Sequence, residues 1–286
     1  MSFMPYKYCA DRHRKSYRWR SCCSVKNITT SNPTNFVLKQ KLYHYTTLER
    51  AISILSSNKL FMGKLAGMND INESYRPLSS YFENGDSSNT DSQKKLEAAE
   101  SQLKRIHQTS LSMDDETPGF AIPAMWGHYA DKGEGICIVF DKELFLNKLK
   151  RTGGFHFKPV TYETNFNPCI TIREDPERFF QQHMEDIFFK KSDDWKYEQE
   201  FRIICRSDNP AYVDISSCVV ALIMCYAKGQ NRQDACFGSE AHNKLPLLFP
   251  DYPILEWSTG VCGSNLRDKD GNQWYPKANS TLAIDV

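Results

Sequence analysis

The chain has 286 residues and a formal net charge of +1 at pH 7, so it is long enough to bury a core, and its overall charge indicates no particular partner. Hydrophobic residues make up 40% and charged residues 25% of the chain, which excludes bulk disorder. No window reaches the roughly 18–20 apolar residues of a membrane span, and the amino terminus lacks the apolar segment of a secretory signal. The sequence therefore predicts a cytoplasmic protein without a membrane partner.

The ten cysteines are scattered and include no C-x-x-C pair, which disfavours a zinc site or a disulfide framework. Cys137 and Cys205 lie in the apolar runs I-C-I-V-F and R-I-I-C, where a small buried thiol fits. This pattern predicts reduced core cysteines and no bound metal.

Residues 1–37 are predicted to form a basic N-terminal arm that precedes a single α+β domain over residues 38–286. Residues 7–26 carry seven lysines and arginines against one aspartate. A solvated terminal tail is the simplest interpretation. An organellar transit segment and a nucleic-acid-binding arm have a similar composition.

Residues 42–62 are predicted to fold as strand, capped helix and strand. The first strand is aromatic and β-prone, and apolar residues then recur at helical spacing. Thr46 and Thr47 are candidate N-caps of this helix. Asn58 is predicted to end it before the second strand begins.

The later segments predict an α+β fold in which a mixed or antiparallel central sheet carries peripheral helices. A polar helical insertion is expected around residues 83–105. The nearly all-apolar segment 135–141 predicts a central strand buried on both faces. Further strands are predicted at 106–112, 157–162, 195–205 and 219–226, and further helices at 124–130, 142–150 and 176–189.

The segment W-K-Y-E-Q-E-F-R is strand-like and brings two glutamates close together. Alternate residues of a strand share a face, so Glu198, Glu200 and Arg202 are expected to lie together. Tyr197 and Phe201 would then face the core. Two close carboxylates raise the pKa of one of them unless a cation compensates, which suits a general base or the stabilisation of a cation-like transition state. A solvated strand face crossed by Glu–Arg ion pairs has the same pattern.

Three further groups of residues have more than one interpretation. His44 and Thr46 precede a helix N-terminus, which favours a phosphate or ribose, although a buried histidine bonded to a backbone carbonyl fits equally. Trp126 and Tyr129 can form a stacking wall for a ring-shaped ligand or a hydrophobic plug over the sheet. Asn69 belongs to an N-D pair that is typical of turns.

Several longer motifs occur in a fixed order over about residues 38–229. They are L-Y-H-Y-T-T at 42–47, L-F-M-G-K-L-A-G-M-N-D at 60–70, T-S-L-S at 109–112, M-W-G-H-Y-A-D-K-G-E-G-I-C-I-V-F-D at 125–141, V-T-Y at 160–162 and K-S-D-D-W-K-Y-E-Q-E-F-R-I-I at 191–204. In these motifs the chain resembles the domain of unknown function 2971 family. That resemblance implies no particular activity.

The L-Y-H-Y-T strand, the capped helix and the E-Q-E triplet also resemble parts of small NAD-dependent ADP-ribosyltransferases of the His–Tyr–Glu type. This resemblance implies a split sheet, NAD as cofactor, His44 as a ribose-binding residue and Glu200 as the catalytic carboxylate. Glu198 would orient the acceptor, and Trp126 or Tyr129 would pack on nicotinamide. The other predicted cofactor-binding residues are Tyr45, Thr46, Asn69 and Arg202.

Together these inferences predict an NAD-dependent ADP-ribosyltransferase that modifies a protein or nucleic acid, as a toxin or anti-phage effector. One alternative is a non-catalytic nucleotide- or nucleic-acid-binding module that uses the aromatic segment and the basic arm. Another is a hydrolase that holds a divalent metal through Glu198, Glu200 and Asp70. The sequence defines neither the acceptor nor the oligomeric state.

Overall fold

The fold is known from a computed structural model that describes residues 41–74, 78–80, 90–167, 169–172, 175–225, 240–260 and 263–275. The predicted basic arm lies outside these residues. So does the start of the predicted polar insertion, up to residue 89.

The described strands, in chain order, are β1 (Lys41–Thr46), β2 (Lys59–Lys64), β3 (Leu78–Ser80), β4 (Ile106–Met113), β5 (Ile136–Asp141), β6 (Phe155–Pro159), β7 (Thr161–Glu163), β8 (Ile170–Ile172), β9 (Lys190–Ser192), β10 (Glu200–Arg206), β11 (Ala211–Asp214), β12 (Val219–Cys225), β13 (Ile254–Gly260), β14 (Gly263–Asp268) and β15 (Gln273–Tyr275). The described α-helices are α1 (Leu48–Ser57), α2 (Ile71–Ser74), α3 (Thr90–Lys104), α4 (Pro123–Tyr129), α5 (Lys142–Thr152), α6 (Pro176–Phe188) and α7 (Glu240–Leu248). Short 3₁₀ turns occur at Leu65–Gly67, Asp131–Gly133 and Asp193–Glu198.

The predicted strand–helix–strand unit at the start of the domain is confirmed. Thr47, rather than Thr46, is the N-cap of α1, and its side chain accepts a hydrogen bond from the Arg50 backbone N–H at 3.3 Å. Asn58 ends the helix in the left-handed conformation, with φ of 53°. The chain can therefore reverse directly into β2.

An eleven-stranded mixed sheet forms the centre of the described fold, which confirms the predicted α+β class. Its main order is β11-β2-β4-β1-β5-β12-β13-β14-β15, and β10 joins β4 to β6. The pair β12–β13 is parallel and the other pairs of this sheet are antiparallel. The predicted central strand, β5, is buried on both faces between β1 and β12.

Hydrophobic clusters pack against both faces of the sheet, and β10 contributes to two of them. Phe201 packs in one cluster with Phe145 of α5. Ile204 packs in another with Phe180 of α6 and Ala99 of α3. The helix of the predicted polar insertion, α3, therefore buries part of one face in the core.

Two sequence predictions about strands need correction. The predicted strand at 157–162 is two strands, because β6 pairs with β10 in the large sheet and β7 pairs with β9 in a separate one. The predicted strand at 195–205 begins only at Glu200, because a 3₁₀ turn occupies Asp193–Glu198. The C-terminal strands β13–β15 and helix α7 had no predicted counterpart. Among the described helices, none combines the length and apolar composition needed to cross a membrane.

Candidate functional site

The pairing of the central sheet is interrupted along one edge of β4. On one edge of this strand, β1 pairs near Met113 and β2 pairs near Gln108. Thr109–Leu111 lie between these two pairings, and no other described strand pairs with them on that edge. The sheet therefore has a gap beside Thr109–Leu111, and β4 forms the floor of this gap.

A cleft with a volume of about 280 Å³ occupies this gap. Six of the predicted site residues line it: His44, Tyr45, Asn69, Tyr129, Glu198 and Glu200. The other three, Thr46, Trp126 and Arg202, are not among the residues that line the cleft.

The two glutamates approach each other through a turn and not along one strand. The chain runs through the 3₁₀ turn Asp193–Glu198 before β10 starts at Glu200. Gln199 between them is left-handed, with φ of 47°, and its Nε2 donates to the carbonyl oxygens of Met113 and Thr117 at 2.7 Å each. These two hydrogen bonds hold a conformation that a non-glycine residue rarely adopts.

The prediction that Glu198 shares a strand face with Glu200 and Arg202 is therefore wrong for Glu198. Tyr197 does not face the core either. It is half-buried at the surface, with ring centroids 6.1 Å from Trp195 and 6.5 Å from His128.

Arg202 and Glu200 form a buried ion pair, so the alternative of a solvated ladder is also wrong. Arg202 is fully buried, and its Nε and Nη2 donate to the two Glu200 oxygens at 2.6 and 2.7 Å. It also donates to the Phe188 carbonyl oxygen at 2.5 Å and to Glu73. Burial raises the pKa of Glu200, but the charges of Arg202 and Lys191 outweigh burial and lower this pKa to about 2.

Lys191 is the second cation of this network, and the sequence analysis assigned it no role. Its ammonium nitrogen lies 2.7 Å from a Glu198 oxygen, 3.5 Å from Glu200 and 3.9 Å from Glu73. It also lies 4.6 Å from the centre of the Trp195 ring, a cation–π distance. Burial opposes its charge, but the three carboxylates outweigh burial and raise the pKa of Lys191.

Glu198 has a different environment from Glu200. Its Oε1 accepts a hydrogen bond from the Tyr129 hydroxyl at 2.7 Å. Burial raises the pKa of Glu198, and the nearby Lys191 only partly offsets this effect. Glu198 therefore accepts a proton more readily than Glu200 does.

His44 reaches the same region from β1. Its Nδ1 lies 3.4 Å from the Ser110 carbonyl oxygen, which leaves the other ring nitrogen for a ligand. Burial, assisted by the charge of Arg50, lowers the pKa of His44 to about 4, so the ring is neutral at pH 7. The Ser110 hydroxyl donates to Glu200 at 2.6 Å, so this one residue contacts both His44 and Glu200.

The strand register places the side chains of His44 and Glu200 on opposite faces of the sheet. Tyr43 pairs with Ser112, and Ser112 pairs with Glu200, so the side chains of these three residues lie on one face of the sheet. His44 follows Tyr43 and starts from the opposite face. His44 and Glu200 nevertheless both line the cleft, and each contacts Ser110.

Trp126 is part of the core and does not form a ligand wall. It is 2% exposed, donates its indole N–H to the Phe120 carbonyl oxygen at 2.8 Å and stacks on Trp257 with ring centroids 5.4 Å apart. Its other neighbour, Tyr45, meets it edge-on. Of the two aromatic candidates, Tyr129 lines the cleft and Trp126 forms the plug.

Two other predicted cofactor-binding residues are also used structurally. Thr46 is 4% exposed and pairs with Ile136 at the end of β1. The Tyr45 hydroxyl donates to the Gly119 carbonyl oxygen at 2.7 Å, so this hydroxyl is occupied although Tyr45 lines the cleft.

Sequence reasoning missed Glu73, Ser110, Tyr162 and Lys191 as members of the site. Glu73 is 3% exposed on α2, and the Tyr162 hydroxyl accepts the Glu200 backbone N–H at 2.9 Å. Ser110 and Lys191 lie inside the T-S-L-S and K-S-D-D-W motifs, which were a usable signal. Within the described ranges, no three His, Cys, Asp or Glu residues are grouped as ligands for a metal ion.

Comparison with known proteins gives one match, to a family model. Neither the curated proteins nor the solved structures contain a match to this chain. Residues 125–203 match the family model described as "Protein of unknown function (DUF2971)". The match runs from within α4 into β10, so it includes Tyr129, Lys191, Glu198 and Glu200. Residues 125–203 are therefore similar to the DUF2971 family, the family that the motifs also resemble.

Proposed function

We propose that the cleft binds NAD and transfers ADP-ribose from it to a nucleophile on a protein or nucleic acid. One observation carries the proposal: six residues assigned to this chemistry from separate parts of the sequence line a single cleft. They come from β1, the turn before α2, helix α4 and the β10 region, and their sequence positions span more than half of the chain.

The size and charge of the cleft suit the reactive half of NAD. A volume of about 280 Å³ is close to the lower end for small-molecule sites, which suits a nicotinamide–ribose unit with the rest of the dinucleotide at the open mouth. Arg50 lines the cleft and has no carboxylate partner in the described chain, so it can pair with a phosphate. Glu198 and Glu200 lie where a positively charged nicotinamide ribose would be favoured.

The transfer breaks the bond between the ribose C1′ and the nicotinamide nitrogen. The electron pair of that bond leaves with nicotinamide, and a nucleophile on the acceptor then forms the new bond to C1′. The ribose carries positive charge between these events, and a fixed carboxylate nearby stabilises it. The proton of the nucleophile passes to a general base.

The environments of the two glutamates suggest a change of roles relative to the sequence analysis. Glu200 is held ionised by Arg202 and serves best as the fixed negative charge. Glu198 has a raised pKa and is held by Tyr129, so it is the better proton acceptor. His44 would orient the ribose through the ring nitrogen that does not face Ser110.

The test is to incubate the purified chain with NAD labelled in the adenylate portion and with cellular protein or nucleic acid. Transfer of label and release of nicotinamide are measured together. We expect Glu198→Gln to reduce both by about 10²-fold or more, as for loss of a general base. Because this change also leaves the buried Lys191 without its nearest carboxylate, activity is measured at a temperature at which circular dichroism shows the variant to be folded. Glu185→Gln, an exposed position on α6, is the matched control.

Two results would refute the transferase proposal. One is the absence of both a thermal shift with NAD and nicotinamide release. The other is full activity in Glu198→Gln. Binding of NAD without turnover would favour the alternative of a non-catalytic nucleotide-binding module.

A further inference from the structure

Asp70 is a buried carboxylate with one unused oxygen. It is 3% exposed at the start of α2, where its Oδ1 accepts the Asn72 backbone N–H at 2.9 Å. Its Oδ2 has no hydrogen-bond partner among the described residues, although Asp70 lines the cleft. The role of Asp70 as a helix cap therefore accounts for Oδ1 but not for Oδ2.

Gln108 presents a second unused acceptor on the same cleft. It is 1% exposed, and its Nε2 donates to Glu73 at 3.4 Å, so the amide nitrogen already has a partner. Its Oε1 has no partner within the described chain. Glu73 links the two residues, because it also lies on the first turn of α2 and its backbone N–H donates to the Asp70 carbonyl oxygen at 3.0 Å.

The two unused atoms, Asp70 Oδ2 and Gln108 Oε1, are both acceptors on residues that line the cleft. We call them, together with the Glu73 carboxylate, the acceptor pocket. Buried polar atoms in folded proteins almost always have partners, and a buried carboxylate without a countercharge is costly. Arg202 and Lys191 contact Glu73, and no described cation lies within ion-pair distance of Asp70.

We infer that the acceptor pocket binds a cation that carries N–H donors, the ammonium or guanidinium group of a basic side chain. Such a group supplies both the positive charge that Asp70 lacks and the N–H bonds that the two unused oxygens accept. Among the described residues, no three His, Cys, Asp or Glu side chains are grouped to hold a metal ion, and a carboxylate or phosphate ligand would be repelled. The subsite stands on these contacts whether or not the cleft transfers ADP-ribose.

Three small probes separate charge from hydrogen bonding. They are Nα-acetyllysine amide, Nα-acetylarginine amide and Nα-acetyl-trimethyllysine amide, titrated by calorimetry at constant ionic strength. All carry one positive charge, but the trimethylated probe has no N–H on its cation. We expect the lysine or the arginine probe to bind at least about tenfold more tightly than the trimethylated probe, a difference of about 1.4 kcal/mol. Which of the two binds identifies the basic group.

The matched variants are Asp70→Asn and Asp175→Asn. Each keeps the Oδ1 that caps its helix, because Asp175 caps α6 by accepting the Arg178 backbone N–H at 3.0 Å. Only Asp70→Asn replaces the free acceptor of the cleft with an NH₂ donor. We expect Asp70→Asn to weaken binding at least about tenfold, and Asp175→Asn to leave it unchanged.

Equal binding of the lysine and trimethyllysine probes would overturn the inference, as would unchanged affinity in Asp70→Asn or no binding of any probe. If Asp70→Asn does not fold, the comparison of the three probes on the unmodified chain decides the question alone. Binding of a basic probe to a chain that never releases nicotinamide from NAD would overturn the transferase proposal and support this subsite.

Discussion

Two groups of buried residues at the cleft solve the problem of buried charge in opposite ways. In the first group, Glu200, Arg202, Lys191 and Glu198 satisfy one another through ion pairs and hydrogen bonds. In the second group, the acceptor pocket, Asp70 keeps an acceptor oxygen without a partner in the described chain. The first arrangement is complete without a ligand, and the second is not.

The difference separates groups that maintain the site from groups that are available to a ligand. Removing one partner of a buried ion pair strongly destabilises the fold, because the remaining charge is buried without a countercharge and without water. A buried polar atom without a partner already destabilises the fold, so replacing it lowers the free energy of unfolding only a little. Substitutions in the two groups are therefore expected to change the free energy of unfolding by different amounts and even with different signs.

The largest effect is expected for Arg202→Met. It leaves Glu73 and Glu200 buried without their main cation, and breaking a buried pair in this way costs about 3–5 kcal/mol. The free energy of unfolding in urea measures the change. Arg206→Met is the control on the same strand, where the pair with Glu177 is partly exposed and is worth about 1 kcal/mol at most. Equal losses in the two variants would mean that the network does not stabilise the fold.

A smaller effect is expected when acid titrates Glu200. Its pKa in the folded chain is about 2, below the ordinary value of 4.5, so its ionised form stabilises the fold. This contribution is fully present above pH 4.5 and is lost as the pH falls toward 2. We expect Glu200→Gln to flatten the fall of unfolding free energy across this window. Glu134→Gln, at an exposed position, should leave the profile of the unmodified chain unchanged; the same profile in Glu200→Gln would contradict the assignment.

The smallest effects come from two serines on β4 that can be compared directly. Ser110 donates to Glu200 at 2.6 Å, whereas the buried Ser112 hydroxyl has no partner among the described residues. We expect Ser110→Ala to cost about 1.5 kcal/mol, as for a hydrogen bond to a charged group, and Ser112→Ala to stay within about 0.5 kcal/mol of zero. Urea unfolding of both variants measures this. A larger cost for Ser112→Ala would show that its hydroxyl has a partner in solution.

Local signals in the sequence were sufficient for much of the fold. The strand–helix–strand unit, the stop at Asn58 and the fully buried β5 all depend on neighbouring residues or on short-range periodicity. Failures occurred where long-range pairing decides. Residues 157–162 divide between two sheets because the first half of the segment pairs with β10 and the second half pairs with β9.

The site was only partly accessible from sequence for the same reason. Residue types and motifs selected His44, Tyr129, Glu198 and Glu200, all of which line the cleft. The alternation rule failed at Glu198 because Gln199 adopts a left-handed conformation, and the carbonyl groups that stabilise it lie more than 80 residues upstream. A rule based on local spacing does not include such a partner.

By itself, the sequence determined the α+β class, the family motifs and the set of residues suited to the proposed chemistry. Only the tertiary structure decided which of them meet and in what state. Whether a carboxylate is saturated, like Glu200, or keeps a free oxygen, like Asp70, depends on neighbours brought by other strands and helices. Burial and charge compensation are properties of that packing, and they set the pKa values of the residues that line the cleft.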